Sequence, residues 1–146
     1  MRPQSAKSKG RRHQQRLVED ILKAFPHLQP DDVRSTSMGC PGIDILLSTA
    51  AKESLPLSIE AKNCEKLSIW AALEQCESNT AAGTTGCVVF TRNRAKTYAA
   101  LPWDLLLDLF KRCQSGGSGQ LPPRLGRLLR ELATYAPPPE SCEADE

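Results

Sequence analysis

Leu57-Ser58-Ile59-Glu60-Ala61-Lys62 decides how this chain is read. Apolar and polar side chains alternate strictly, which is the two-residue period of a β-strand. Leu57, Ile59 and Ala61 share one face, and Glu60 and Lys62 share the other. Upstream, Ile43-Asp44-Ile45-Leu46-Leu47 also reads as a strand, with Asp44 among its apolar residues. A charge in such a strand is costly unless it is paired, hydrated at a strand end or bound to a metal. Asp44, Glu60 and Lys62 are therefore expected to meet at one edge of a sheet.

Working outward, residues 1–10 are polar and basic without an apolar period and read as a flexible basic arm. From Arg11 the pattern is helical. Leu17, Ile21, Leu22 and Phe25 recur at three- and four-residue steps, and Pro26 ends the helix. Val33–Thr36 reads as a short strand, Met38–Gly42 as a tight connection and 48–55 as an excursion. Ser68 is a suitable N-cap for a helix through about Asn79. Cys87–Thr91 and Lys96–Leu101 read as two strands joined by a turn at Arg92-Asn93-Arg94, and Pro102 opens a helix to about Arg112. The core is thus expected over 11–113. A Gly/Ser linker (114–120), a leucine-striped helix (121–136) and an acidic disordered tail (137–146) follow. The element order predicts an α/β fold, a central mixed β-sheet flanked by helices.

The 146 residues suit one compact domain, and 40% apolar with 25% charged residues argues against a fully disordered chain. No run approaches 18 apolar residues, so no membrane span is expected, and the basic N-terminus lacks the apolar stretch of a secretory signal. Net charge is only +2, yet six of the 19 Lys and Arg fall in the first 16 residues, with no acid among them. The last ten residues hold four acids and no base. A basic end points to a polyanionic partner, against the alternative of a solvated tail that binds nothing. The six cysteines are scattered singly, with only His13 and His27 to help, so neither a zinc site nor a disulfide scaffold is expected. Free thiols in a cytoplasmic protein are the reading, with Cys87 as a small core residue.

Two carboxylates close together make a site for a hard divalent ion such as Mg²⁺, whose other positions go to water and substrate phosphate. A lysine beside it stabilises developing negative charge. Asp44, Glu60 and Lys62 are sufficient parts for metal-assisted phosphodiester hydrolysis. An acid-x-Lys triplet alone means little, since about one is expected by chance in a chain of this composition. Its weight comes from context: a clear strand, preceded by a strand bearing Asp and followed by a helix. The competing reading is a Glu60–Lys62 or Asp44–Lys62 ion pair.

Gly42-Ile43-Asp44, then Ser58-Ile59-Glu60-Ala61-Lys62, then a helix bearing Gln75, resembles the PD-(D/E)XK nuclease superfamily, and within it phage and archaeal Holliday-junction-resolvase-like members. The string from Ser35 through Asp44, with Asn63 after the lysine, is also similar to phage-encoded proteins of this kind. The resemblance covers about residues 11–101 and rests on a short, degenerate motif in which Ile43 stands where many members have Pro. It implies a restriction-endonuclease-like core. It also implies Mg²⁺ (with Mn²⁺ as a substitute) held by Asp44, Glu60 and the Ala61 carbonyl, and Lys62 as the catalytic lysine. Glu19 would be the acid that many members carry on the first helix, and Gln75 a residue touching the site. Branched duplex DNA as partner, a homodimer with two active sites, and a bacterial host cell if the chain is phage-encoded follow from the same resemblance.

The remaining cations are expected to hold DNA phosphates: Arg11, Arg12 and Arg16 on the first helix, Arg34 with Ser35, and Arg92 with Arg94 at the hairpin tip. Arg124, Arg127 and Arg130 would extend that surface. Solvated charge is the alternative for each. Trp70 and Trp103 are read as core or interface residues. Two other functions remain open: a DNA-binding or regulatory protein of the same fold without turnover, and a nuclease acting on DNA ends or on RNA.

Overall fold

The computed structural model describes residues 3–37 and 41–115. The linker, last helix and acidic tail expected after residue 113 lie outside the described residues or at their border. The chain divides into two units, Met1–Trp103 and Asp104–Glu146. Among the described residues, five strands form one mixed sheet in the order β1-β2-β3-β4-β5. These are β1 (Val33–Ser35), β2 (Ile45–Leu47), β3 (Leu57–Asn63), β4 (Thr85–Thr91) and β5 (Tyr98–Ala100). Only β3 and β4 run parallel, so their connection must cross over, and α3 (Ile69–Ser78) makes that crossing. The other neighbours are antiparallel.

Helix α1 (Pro3–Ala24) covers one face. Its Leu17, with Val18, Ile21 and Leu22 beside it, packs on Val33, Ile45, Leu47 and Ile59. The other face carries α3, whose Ala72 and Cys76 pack on Val88. Leu57, Ile59 and Ala61 face α1, as their alternation requires. The opposite face of β3 is buried as well, because α3 lies over Ser58 and Glu60. Gly86 permits that close approach. A Cβ there would come within 2.9 Å of Thr80 Oγ1 and 3.2 Å of Cys76 Sγ.

Three boundaries differ from the sequence expectations. The basic segment before residue 11 is helical from Pro3, a residue suited to a first helical turn. Tertiary bonds hold it: Lys9 Nζ donates to Asn93 Oδ1 at 3.0 Å, and Asn63 Nδ2 donates to the Lys9 carbonyl. The excursion at 48–55, assigned no element from sequence, is a short helix. Ser48 Oγ caps α2 (Thr49–Ser54) by accepting from Ala51 N, and it donates to Asp32 Oδ1 at 2.6 Å. Asp44 stands just before β2 rather than within it. In the second unit, α4 runs from Trp103 at the boundary to Ser115, with a Lys111–Asp108 ion pair one turn apart. No helix among the described residues is long and apolar enough to cross a membrane.

Candidate active site

The site is built on the C-terminal end of β3. Because β3 is the middle strand, it lies at a strand end, not at the sheet edge expected from sequence. Alternation puts Ser58, Glu60 and Lys62 on the α3 face. Glu60 is 3% exposed, under the helix, while Lys62 reaches past it toward solvent. Lys62 Nζ donates to Glu60 Oε1 at 2.7 Å and to Gln75 Oε1 at 2.8 Å.

Asp44 enters from the residue just before the neighbouring strand β2. Its backbone N–H still donates to the Ile59 carbonyl, and its carbonyl accepts from Thr36 N. Two residues further along β3 the ladder opens, and the Asp44 carboxylate fills the gap: Oδ2 accepts the Ala61 N–H at 2.7 Å. Within a strand the N–H and C=O of one residue leave the same edge, so the Ala61 carbonyl faces this gap too. From α1, Gln14 Nε2 donates to Asp44 Oδ1 at 2.7 Å. A line of polar groups thus crosses the sheet end, from Gln14 through Asp44 and Glu60 to Lys62 and Gln75.

Two buried oxygens in this line, Glu60 Oε2 and Gln14 Oε1, have no hydrogen-bond partner. An unsatisfied buried carboxylate oxygen costs free energy, so a cation there would relieve it. Burial pushes the Glu60 carboxyl above its usual range; the Lys62 hydrogen bond pulls it down, and the Asp44 charge pushes it up again. Two carboxylates against one ammonium leave the site net negative. These features fit a hard divalent ion, which is commonly bound through one or two carboxylates with water completing its shell. Among the described residues there is no gathering of three or more His, Cys, Asp or Glu side chains, so an ion here would have to draw on Asp44, Glu60 and neighbouring backbone carbonyl or amide oxygens.

Of the residues singled out from sequence, Asp44, Glu60, Ala61, Lys62 and Gln75 are brought together. Glu19 is not. It is exposed and stands five residues beyond Gln14, about 140° further round α1 at 3.6 residues per turn. It shares a shallow pocket with Ser35 instead. Gln14, which the sequence reading passed over, occupies the place expected for Glu19. A signal was present, because Gln14 lies on the apolar stripe with Leu17, Val18 and Ile21, where a polar residue must have a buried partner. His13 is likewise buried, its Nε2 3.2 Å from the Val89 carbonyl, and burial lowers its pKa.

Beside the site lies a groove of about 410 Å³, walled by the first half of α1 and the β4–β5 turn. Lys9, Arg12, Arg16, Arg92 and Arg94 line it, and no carboxylate does. Gln14 and Lys62 of the site are each chain neighbours of a groove residue, His13 and Asn63. Arg94 turns into the groove at φ 58°, a left-handed conformation costly for a side chain of this size. Arg11 is exposed but does not line the groove. Arg34 and Ser35 lie on β1, at the opposite edge of the sheet, so they form no part of this surface. Trp70 and Trp103 are 75% and 70% exposed, so neither is a core residue.

No family model matches the chain, and no curated protein matches it. A solved structure, the Holliday junction resolvase Hjc of the archaeal hyperthermophile Archaeoglobus fulgidus, is similar to it at 21% identity. The similarity covers 64% of this chain and 72% of that one, with a TM-score of 0.43.

Proposed function

We propose that this chain is a metal-dependent endodeoxyribonuclease that hydrolyses phosphodiester bonds, with branched duplex DNA as its substrate. The observation that carries the reading is the buried, partnerless Glu60 Oε2 beside Asp44 and Lys62, together with a groove lined by five cations and no acid that begins at the chain neighbours His13 and Asn63. Asp44, Glu60 and the Ala61 carbonyl are the groups that would hold Mg²⁺, or Mn²⁺ in its place. Bound there, the ion supplies Lewis acidity and a more acidic water.

The chain's own groups do the rest. Lys62 Nζ has three N–H donors, and Glu60 and Gln75 occupy two. The third is left for a phosphate oxygen, where it stabilises negative charge as water adds to phosphorus and one bridging P–O bond breaks. The Ala61 N–H and Gln14 amide fix the Asp44 carboxylate so that it does not reorganise during reaction. The groove cations hold the DNA by its phosphates, without reading bases. Branched DNA as substrate, and a dimer with two such sites, rest on the resemblance of the sequence motif and not on any residue described above.

A second reading is a DNA-binding protein without turnover. The closed Glu60–Lys62 ion pair and an amide, not an acid, at Gln14 favour it. Incubation with Mg²⁺ and a four-way junction, supercoiled plasmid and blunt linear duplex separates the readings, with Glu60→Ala and Lys62→Ala proteins as controls. Junction cutting that disappears in both variants supports the nuclease and its branched substrate. Plasmid nicking without junction preference keeps the nuclease and removes that substrate. A folded wild type that binds DNA and cuts none of the three overturns the nuclease.

A further inference from the structure

We infer that the shelf made by Phe90 and Tyr98 seats an unpaired nucleobase of the DNA strand held at the Lys62 site. The inference rests on the reading of this chain as a DNA-binding protein and narrows its substrate to duplex with an unpaired nucleotide close to the cut.

The sheet register carries the argument. Lys62 pairs with Phe90 across β3 and β4, and Phe90 pairs with Tyr98 across β4 and β5. Cross-strand partners share a face, so the three side chains form one row on the α3 side of the sheet. Neighbouring strands lie about 4.8 Å apart, which sets the Tyr98 backbone about 10 Å from that of Lys62. That is about three phosphates along a duplex axis, at about 3.4 Å each.

The shelf has the chemistry of a stacking platform. The two rings lie 28° from parallel with centroids 6.0 Å apart, and Tyr98 is 57% exposed although its half-buried partner Phe90 packs against the core under α3. They wall a pocket of about 290 Å³. Arg92 lines both this pocket and the basic groove, so a strand whose phosphates follow the groove arrives here without a break. Lys96 adds a cation at the rim. Glu65 stands in the wall, with Oε1 accepting the Asn93 N–H at 3.2 Å. A carboxylate there repels phosphate but accepts the exocyclic amine of a base, so the pocket is suited to a base and not to the backbone. Every base presents a π-face, and an exposed ring beside a cationic track is the recurrent means of holding single strands without sequence preference.

Fluorescence anisotropy in EDTA tests this without any cleavage. The probes are a labelled duplex with a short single-stranded flap and the same duplex without it. A second copy of the flap carries 2-aminopurine. Wild type should prefer the flapped duplex by about fivefold or more, the loss expected when one stacked base is removed. Tyr98→Ala should bring that ratio close to one and abolish the 2-aminopurine quenching. Tyr98→Phe should keep both. A ratio unchanged in Tyr98→Ala, equal loss on both probes, or no wild-type preference overturns the inference. So does a shift in sedimentation of Tyr98→Ala with its flap ratio intact, which would mark the shelf as a contact between copies. Cleavage in Mg²⁺ that persists without flap preference refutes this inference alone. Failure to bind either probe refutes the DNA-binding reading with it.

Discussion

Gln14→Glu puts the candidate metal position under direct strain. Gln14 Nε2 donates to Asp44 Oδ1 at 2.7 Å, and the Gln14 side chain is 5% exposed. The substitution replaces a donor with a second carboxylate at the same place. Two unit charges 4 Å apart repel by about 4 kcal/mol at an effective dielectric of about 20. Protonating one carboxyl escapes that repulsion, at about 1.4 kcal/mol for each pH unit above an ordinary glutamate value near 4.3. At pH 7 this route costs about 3.7 kcal/mol, so the penalty is close to 4 kcal/mol by either route. The melting temperature in EDTA should fall on the order of 10–15 °C. At pH 5 protonation costs only about 1 kcal/mol, so the fall should shrink to on the order of 3–5 °C. The sign is that of a group whose folded pKa is raised: stability is lost as pH rises. Millimolar Mg²⁺ or Mn²⁺ should reverse the loss at pH 7, because a cation between the carboxylates turns repulsion into binding and stabilises only the folded form. Melting curves at both pH values, with EDTA and with metal, check every step. An unchanged melting temperature in EDTA would refute the placing of Gln14 on Asp44. A loss that neither metal reverses would refute a cation position between the carboxylates.

Lys62→Met should lower DNA cleavage by about 10²–10³-fold, the usual effect of removing one positioned charge from a transition state, while DNA affinity in EDTA falls far less, by the loss of one phosphate contact. Arg12→Ala and Arg92→Ala should each weaken binding evenly across DNA sequences and reduce the slope of log affinity against log salt by about one, as titrations at several salt concentrations would show. Ile45, fully buried between β1 and β3, should cost about 2–5 kcal/mol as Ile45→Ala in urea melts. Glu60→Gln should remove one arm of the pH dependence of stability. Burial raises the Glu60 carboxyl, so its contribution is complete below the ordinary glutamate range and is lost as pH rises through the raised value. Urea melts across that range should show wild type falling relative to Glu60→Gln, and parallel curves would contradict the burial of that charge.

Much of the framework was legible from local pattern. The alternation at 57–62 assigned β3 and its two faces correctly, since a strand period of two leaves one choice once Leu57, Ile59 and Ala61 must be covered. Phe25-Pro26 set the end of α1 to within a residue or two, and Ser68 stands at the start of α3. The pattern failed where a contact distant in sequence decides. Helix before Arg11 depends on Lys9 meeting Asn93, 84 residues away. Residues 49–54 become helix because Ser48 caps them while bonding Asp32. Asp44 and Glu60 were visible as misplaced charges, but the choice of Gln14 over Glu19 was not made, although the same helical period separates them.

The sequence by itself determined which residues face a core, because burial follows a period of 2 or 3.6 that each segment carries alone. It also determined that Glu60 and Lys62 share a face. Only the tertiary structure decided what they meet there. The α3 crossover made β3 the central strand and buried Glu60 beneath a helix; α1 on the opposite face brought Gln14 to Asp44. The same packing joined cations from residues 9–16 to those at 92–94 and aligned Lys62, Phe90 and Tyr98 in one row. Strand order and register arise from the joint burial of all the elements, so no local period contains them.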